Sequence, residues 1–279
     1  MTTIEQAPGA GFVEGRVEID GFTVRYHQAG PPASIGEPAG DPLVVLHGAG
    51  GLHFSIALDL LARTRRVVLV EMPGFGEQVN EVHRSSDELA EAIAQVVEAI
   101  GLERYHLLGH SLGGTIALHL AFAHPDRLAS LVLDGPAGFR EGESAPAATS
   151  PQEVVRRFRA QPERAPAFSP PDPALMARVM PLAQRLMISR PAFDQELADR
   201  LPQCAVRTLV LFGDRDGVVP PQNGRTYRRL MPNCSFQLVH RAAHSVQDDR
   251  PEAYAELVSD FLERGWMFLV PEQSTLINP

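Results

Sequence analysis

Short, unbroken apolar runs recur along the chain, and each stops at a turn rich in glycine or charge. Leu43–Leu46 (LVVL) ends at HGAGG, and Arg66–Val70 (RVVLV) is followed by Pro73-Gly74-Phe75-Gly76. Tyr105–Leu108, Leu128–Leu133, Arg207–Phe212 and Ser235–Val239 read the same way. A strand covered on one face alternates polar and apolar residues, whereas a strand covered on both faces reads as a continuous run. Between these runs the spacing changes to three and four. Leu89, Ile93, Val96, Val97 and Ile100 share one helical stripe over Asp87–Ile100, with Gly101 placed to end it. Thr115–Ala123, Gly224–Leu230 and Pro251–Glu263 also read as helices. Alternating strand and helix predicts a parallel sheet with helical crossovers. An antiparallel hairpin precedes it, over Val17–His27 around Asp20-Gly21.

The pattern breaks at Gly135. Eleven of the 24 prolines fall between Gly135 and Gln203, and no strand-like run interrupts that stretch. Ser150-Pro151-Gln152-Glu153 is a capping box that opens one helix. Asp172-Pro173 opens another, which Pro181 should kink or break. The division expected is a main domain over 1–134 and 204–279, with a helical cap over 135–203.

With 279 residues and 44% hydrophobic content, the chain can enclose a large core. A net charge of −9 argues against a nucleic-acid or anionic-membrane partner, because both attract basic faces. Cys204 and Cys234 form no metal-binding spacing and are read as free thiols of a reducing compartment. The start MTTIEQAPGAGF has neither a basic nor an apolar segment, so no signal peptide and a cytoplasmic location are expected. No dinucleotide or phosphate-loop fingerprint and no metal-ligand spacing occur, so neither cofactor nor metal is expected.

Chemistry concentrates at Gly109-His110-Ser111-Leu112-Gly113, a G-x-S-x-G pentapeptide between a strand and a helix. Such a turn presents the serine hydroxyl above the sheet, and the glycines let strand and helix approach. A serine hydroxyl needs a base, and the base needs an orienting acid. Of the later histidines, His119 and His124 lie on the following helix, leaving His240 and His244. His244 is preferred because it stands free in the loop after the last strand. Asp216 is the preferred acid, deep in the loop after RTLVLF, with Asp134 and Asp214 as alternatives. The Leu112 amide and the Ala49 amide of HGAGG are the expected oxyanion donors. His47 ends a buried strand and is read as structural.

HGAGG (47–51), MPGFGE (72–77), GHSLGG (109–114), GDRDGVVP (213–220) and the His244 segment, in that order, resemble the α/β-hydrolase superfamily, specifically its cap-bearing esterase-like branch. The resemblance implies a mostly parallel eight-stranded sheet with a helical lid inserted after the sixth strand. It also implies Ser111 as nucleophile, Asp216 as acid, His244 as base, and Ala49 and Leu112 as oxyanion donors. Three departures stand out. Glu71 and Gln78 replace the usual Asp and Ser around Pro-Gly-x-Gly, Ala243 replaces a common Gly, and Ser245 stands where the carbon–carbon-cleaving branch often has Trp.

Phe158, Leu175, Met176, Met180 and Met187 of the cap are candidates to line an apolar substrate pocket; packing of cap on main domain is the alternative use. The expected activity is hydrolysis of small, fairly apolar carboxylic esters. Lactone hydrolysis, or carbon–carbon hydrolysis of ring-fission products, uses the same machinery. A ligand receptor with little turnover is the reading of another class. The apolar tail 266–270 is expected to dock on the chain's own surface, with a homodimer left open.

Overall fold

The computed structural model describes residues 7–31, 40–141, 150–162, 173–188 and 191–269. Eight strands form one sheet in the order β1-β2-β4-β3-β5-β6-β7-β8. β1 (Val13–Ile19) and β2 (Phe22–Ala29) are the antiparallel hairpin, and β2 also runs antiparallel to β4 (Val67–Val70). β3 (Leu43–Leu46), β4, β5 (Tyr105–His110), β6 (Leu128–Asp134), β7 (Thr208–Gly213) and β8 (Cys234–Val239) are parallel to one another. The hairpin turn needs left-handed backbone at both central residues, and Asp20 (φ 52°) and Gly21 (φ 79°) supply it.

The apolar runs are continuous because alternate side chains enter two different cores. Val44 and Leu46 face one, together with Leu89 and Ile93 of α2 (Ser86–Ala99) and Ile116 and Leu120 of α3 (Leu112–Ala123). Leu43 and Val45 face the other, with Leu58 and Leu61 of α1 (Ile56–Leu61) and Val258 and Phe261 of α9 (Pro251–Arg264). All four residues of β3 and of β4 are buried. Each such aliphatic side chain contributes roughly 1.5–3 kcal/mol by leaving water. Ser85 caps α2 by accepting from the Glu88 amide at 3.2 Å, and Gly101 (φ 83°) closes its far end.

Two of the sequence departures serve the hairpin. Glu71 receives Arg25 of β2 through two hydrogen bonds of 2.7 and 2.9 Å, in the space a side chain on Gly76 would need. Gln78 accepts from the Thr23 amide at 2.7 Å and donates to the Gly21 carbonyl at 3.0 Å. They stitch the hairpin to the loop after β4.

Between β6 and β7 come α4 (Pro151–Phe158), α5 (Pro173–Ala183) and α6 (Gln195–Arg200). Ser150 caps α4 at the Glu153 amide, 3.2 Å away. Pro181 does not break α5 at its own position. The helix continues to Ala183 and then widens into a π-helical segment, Gln184–Ile188. α7 (Asn223–Leu230) and α8 (Val246–Asp249) complete the helices described. No described helix is long and apolar enough to cross a membrane.

Candidate active site

Ser111 sits where β5 turns into α3, with φ 54° and ψ −116°. That backbone is sterically costly for any residue with a Cβ. It is enforced on both sides. The Ser111 amide donates to the Asp134 carbonyl at 2.8 Å, and its carbonyl accepts from the Ala137 amide at 3.2 Å. The flanking glycines are required by close approach. A Cβ on Gly109 would overlap the Gly113 carbonyl, and one on Gly113 would overlap the Leu46 and His47 carbonyls.

Three histidines and three carboxylates pair off around this turn. His244 Nδ1 lies 2.8 Å from Asp216 Oδ2, with both side chains almost wholly buried. The other Asp216 oxygen accepts from the Val218 and Val219 amides at 2.8 and 2.9 Å. Asp214 instead takes His240 Nδ1 at 2.7 Å and the Arg241 amide at 2.8 Å, bracing the loop that leads to His244. Asp134 takes His110 Nδ1 at 3.1 Å and the Tyr254 hydroxyl at 3.3 Å. Of the alternatives open in the sequence, Asp216 is the carboxylate in contact with His244.

The Asp216–His244 pair is brought to the serine turn by Gly135. Its amide follows the Asp134 carbonyl that holds Ser111 and donates to the Leu211 carbonyl of β7 at 2.9 Å. The space a side chain on Gly135 would fill is taken by the His244 ring at 3.2 Å and Asp216 Oδ2 at 3.4 Å. Burial by itself would push the His244 imidazole down. The charge and hydrogen bond of Asp216, with Asp134 adding, outweigh it and hold the imidazole above its ordinary value.

The expected oxyanion amides belong to the residue after the serine and to the loop after β3. Leu112 is the first residue of α3, whose leading amides have no intrahelical acceptor. Ala49 follows Gly48, and a side chain on Gly48 would meet Ser111 Cβ at 3.3 Å and His110 Cδ2 at 3.0 Å. His47 accepts from the Met72 amide at Nε2 (3.0 Å) and so donates from Nδ1 to the Gly48 carbonyl (2.7 Å), fixing that turn. Full burial pushes its imidazole down to about 4, so it stays neutral.

Of the predicted cap residues, Phe158 sets its ring edge-on to His244, 5.6 Å between centroids. Leu175 approaches Gly51 of the oxyanion loop, 3.6 Å from the point a Cβ would occupy there. Leu175 and Met176 both rest partly buried against the main core. Met180 is half-buried on α5, and the Met187 side chain lies outside the described residues. Sequence reasoning missed the His110–Asp134–Tyr254 cluster. The signal was available in the register, where His110 and Asp134 stand directly opposite each other at the ends of β5 and β6.

Residues 43–257 match the Alpha/beta hydrolase family, which is most of the chain. The dihydrolipoyllysine-residue acetyltransferase component of the acetoin cleaving system of Pseudomonas putida is 28% identical over 89% of this chain and 69% of its own length. A 2-hydroxy-6-oxononadienedioate/2-hydroxy-6-oxononatrienedioate hydrolase of Pseudomonas putida is 30% identical over 82% of this chain and 90% of its own. A meta-cleavage product hydrolase from Pseudomonas fluorescens superposes with a TM-score of 0.71 over 90% of this chain and 97% of that one; at 19% identity the likeness is one of fold. The eight-stranded sheet, the serine turn and these matches agree: the chain is a hydrolase that belongs to the alpha/beta hydrolase family.

Proposed function

We propose that the chain is a serine hydrolase that cleaves a carbon–carbon bond beside a ketone, in substrates of the ring-fission-product class. The observation that carries the mechanism is the buried His244–Asp216 pair, 2.8 Å apart, packed on the same Gly135 turn that holds Ser111. The name of the 30% identical Pseudomonas putida relative supports the substrate class. Carbon–carbon cleavage therefore moves ahead of the ester hydrolysis expected from sequence. Ser245, which replaces the Trp often found there, keeps ester hydrolysis as the second reading.

In this reading Ser111 Oγ forms a bond to the ketone carbon while its proton passes to His244 Nε2. Asp216 holds the imidazolium by its Nδ1–H. The Ala49 and Leu112 amides receive the oxyanion. The carbon–carbon bond then breaks, its electron pair goes to the departing carbon, and that carbon takes the proton from His244. Water adds to the acyl-serine with His244 as base and releases a carboxylic acid. In sum, ketone and water give an acid and a new C–H bond. Phe158, Leu175, Met176 and Met180 supply the apolar wall on the cap side.

Turnover of 2-hydroxy-6-oxononadienedioate, followed by loss of its conjugated absorbance, is to be compared with release of p-nitrophenol from p-nitrophenyl butyrate. Ser111-dependent kcat/KM at least about tenfold higher for the dienone supports this reading. The reverse ratio establishes the ester reading. Neither activity, with tight binding of a small ligand, points to a receptor.

A further inference from the structure

We propose that Asp249 is a positioning residue for His244, acting through the cap segment 157–161; the inference rests on the reading of His244 as base. Asp249 ends α8, five residues after His244, and is completely buried. A buried carboxylate must be met by donors. The donors here are main-chain amides from two separate parts of the fold: Ala160 at 2.8 Å and Gln161 at 3.0 Å from the cap, and Ala243 at 2.8 Å from the loop before the histidine. The amide on the other side of His244, that of Ser245, donates to the Phe158 carbonyl at 2.9 Å. Both peptide neighbours of His244 are thus fixed to the same five-residue stretch of cap, one directly and one through Asp249.

The stretch is anchored beyond these contacts. Gln161 Nε2 donates to the Arg241 carbonyl at 2.8 Å, and Arg159 pairs with Asp248 at 2.9 Å, with both side chains buried. The Arg157 carbonyl accepts from the Gly217 amide at 3.2 Å, next to Asp216. The segment after α4 therefore touches the acid loop and the base loop together, and Phe158 caps the imidazole face. Asp214 holds the beginning of the His240–Ser245 loop and Asp249 holds its end. This part of the cap works as a brace rather than a hinged lid. Rotating it away would strip hydrogen bonds from residues 217, 241, 245 and 249 at once.

The test compares Asp249→Asn and Gln161→Ala with the parent chain. It measures 2-hydroxy-6-oxononadienedioate turnover, fluorophosphonate labelling of Ser111, and both against pH. Asparagine has one acceptor oxygen, so Asp249→Asn cannot receive all three amides. In D249N, kcat and the labelling rate fall about tenfold to a hundredfold with KM nearly unchanged. The acid limb moves to lower pH as His244 loosens from Asp216. Gln161→Ala gives a smaller fall in the same direction. A folded D249N with a lowered Tm but parental kcat, labelling and acid limb overturns the proposal. So does a D249N that fails to fold alongside a Q161A with parental kinetics. Turnover that survives Ser111→Ala, with no labelling of the parent chain, overturns the underlying reading of the site and this inference with it.

Discussion

The imidazole rings of His110 and His244 lie 4.8 Å apart, centroid to centroid, and each rests on its own carboxylate. The two carboxylates do different work. Asp216 touches His244, whereas Asp134 acts on it through space. Asp216→Asn is expected to cost about 10³–10⁴ in kcat, because the histidine loses the acceptor that fixes its tautomer. Asp134→Asn retains most of kcat and shifts the acid limb of kcat/KM slightly to lower pH. Comparing the two pH–rate profiles, with Asp214→Asn as a third, checks the assignment.

The backbone of Ser111 predicts a stability difference at the position of the nucleophile. With φ at 54°, any Cβ there carries strain. Ser111→Gly should be more stable than Ser111→Ala by about 1–2 kcal/mol, with both inactive. Urea unfolding of the two variants measures this, and equal midpoints with equal slopes would contradict it.

Acid should weaken the fold through two buried histidines outside the proposed triad. His47 and His106 are both pushed down to about 4 by burial, the second while bonded to Ser130 Oγ at 2.8 Å. The unfolded chain protonates both near 6.5, so stability is complete above that value and declines as pH falls toward 4, by up to about 3 kcal/mol for each. His244 has the opposite sign: its contribution is full below 6.5 and is lost as pH rises through its raised value. The two lowered groups dominate the acid side. Tm recorded from pH 7 to about 4 should fall, and less steeply in His106→Gln.

Among the described residues of the tail, Phe268 is the buried apolar anchor. Phe268 is buried and meets Phe261 edge-on at 5.4 Å, while Trp266, Met267 and Leu269 remain substantially exposed. Phe268→Ala should cost about 3–5 kcal/mol, and Trp266→Ala well under 1 kcal/mol. Parallel denaturation curves decide it.

The strands were legible because a parallel sheet buried on both sides leaves runs such as LVVL and TLVLF that nothing else explains. The serine turn was legible because its glycines are demanded by backbone contact. α1 was not, since six residues give under two turns and its main signal is Ser55, which accepts from the Leu58 amide. Asp216 was preferred for His244 from its depth in the loop, but the pairings of His240 with Asp214 and of His110 with Asp134 were out of reach. Asp214 and Asp216 are two residues apart, and the path of the loop after β8 hands His240 to the first and His244 to the second. The Tyr254 hydroxyl reaches Asp134 across 120 residues of chain, which no local spacing announces.

The chain leaves the sheet after β6 and comes back before β7 through a narrow gate. Phe139 bridges Phe193 with stacked rings 5.1 Å apart, and the Arg140 amide bonds the Ala192 carbonyl at 2.8 Å. Once that gate is shut, doubling the length of the excursion costs only about 0.6 kcal/mol of loop-closure entropy. A transplanted cap of another size can thus be spliced between positions 141 and 191 to change what the protein accepts, provided the graft keeps a stretch able to grip Asp249.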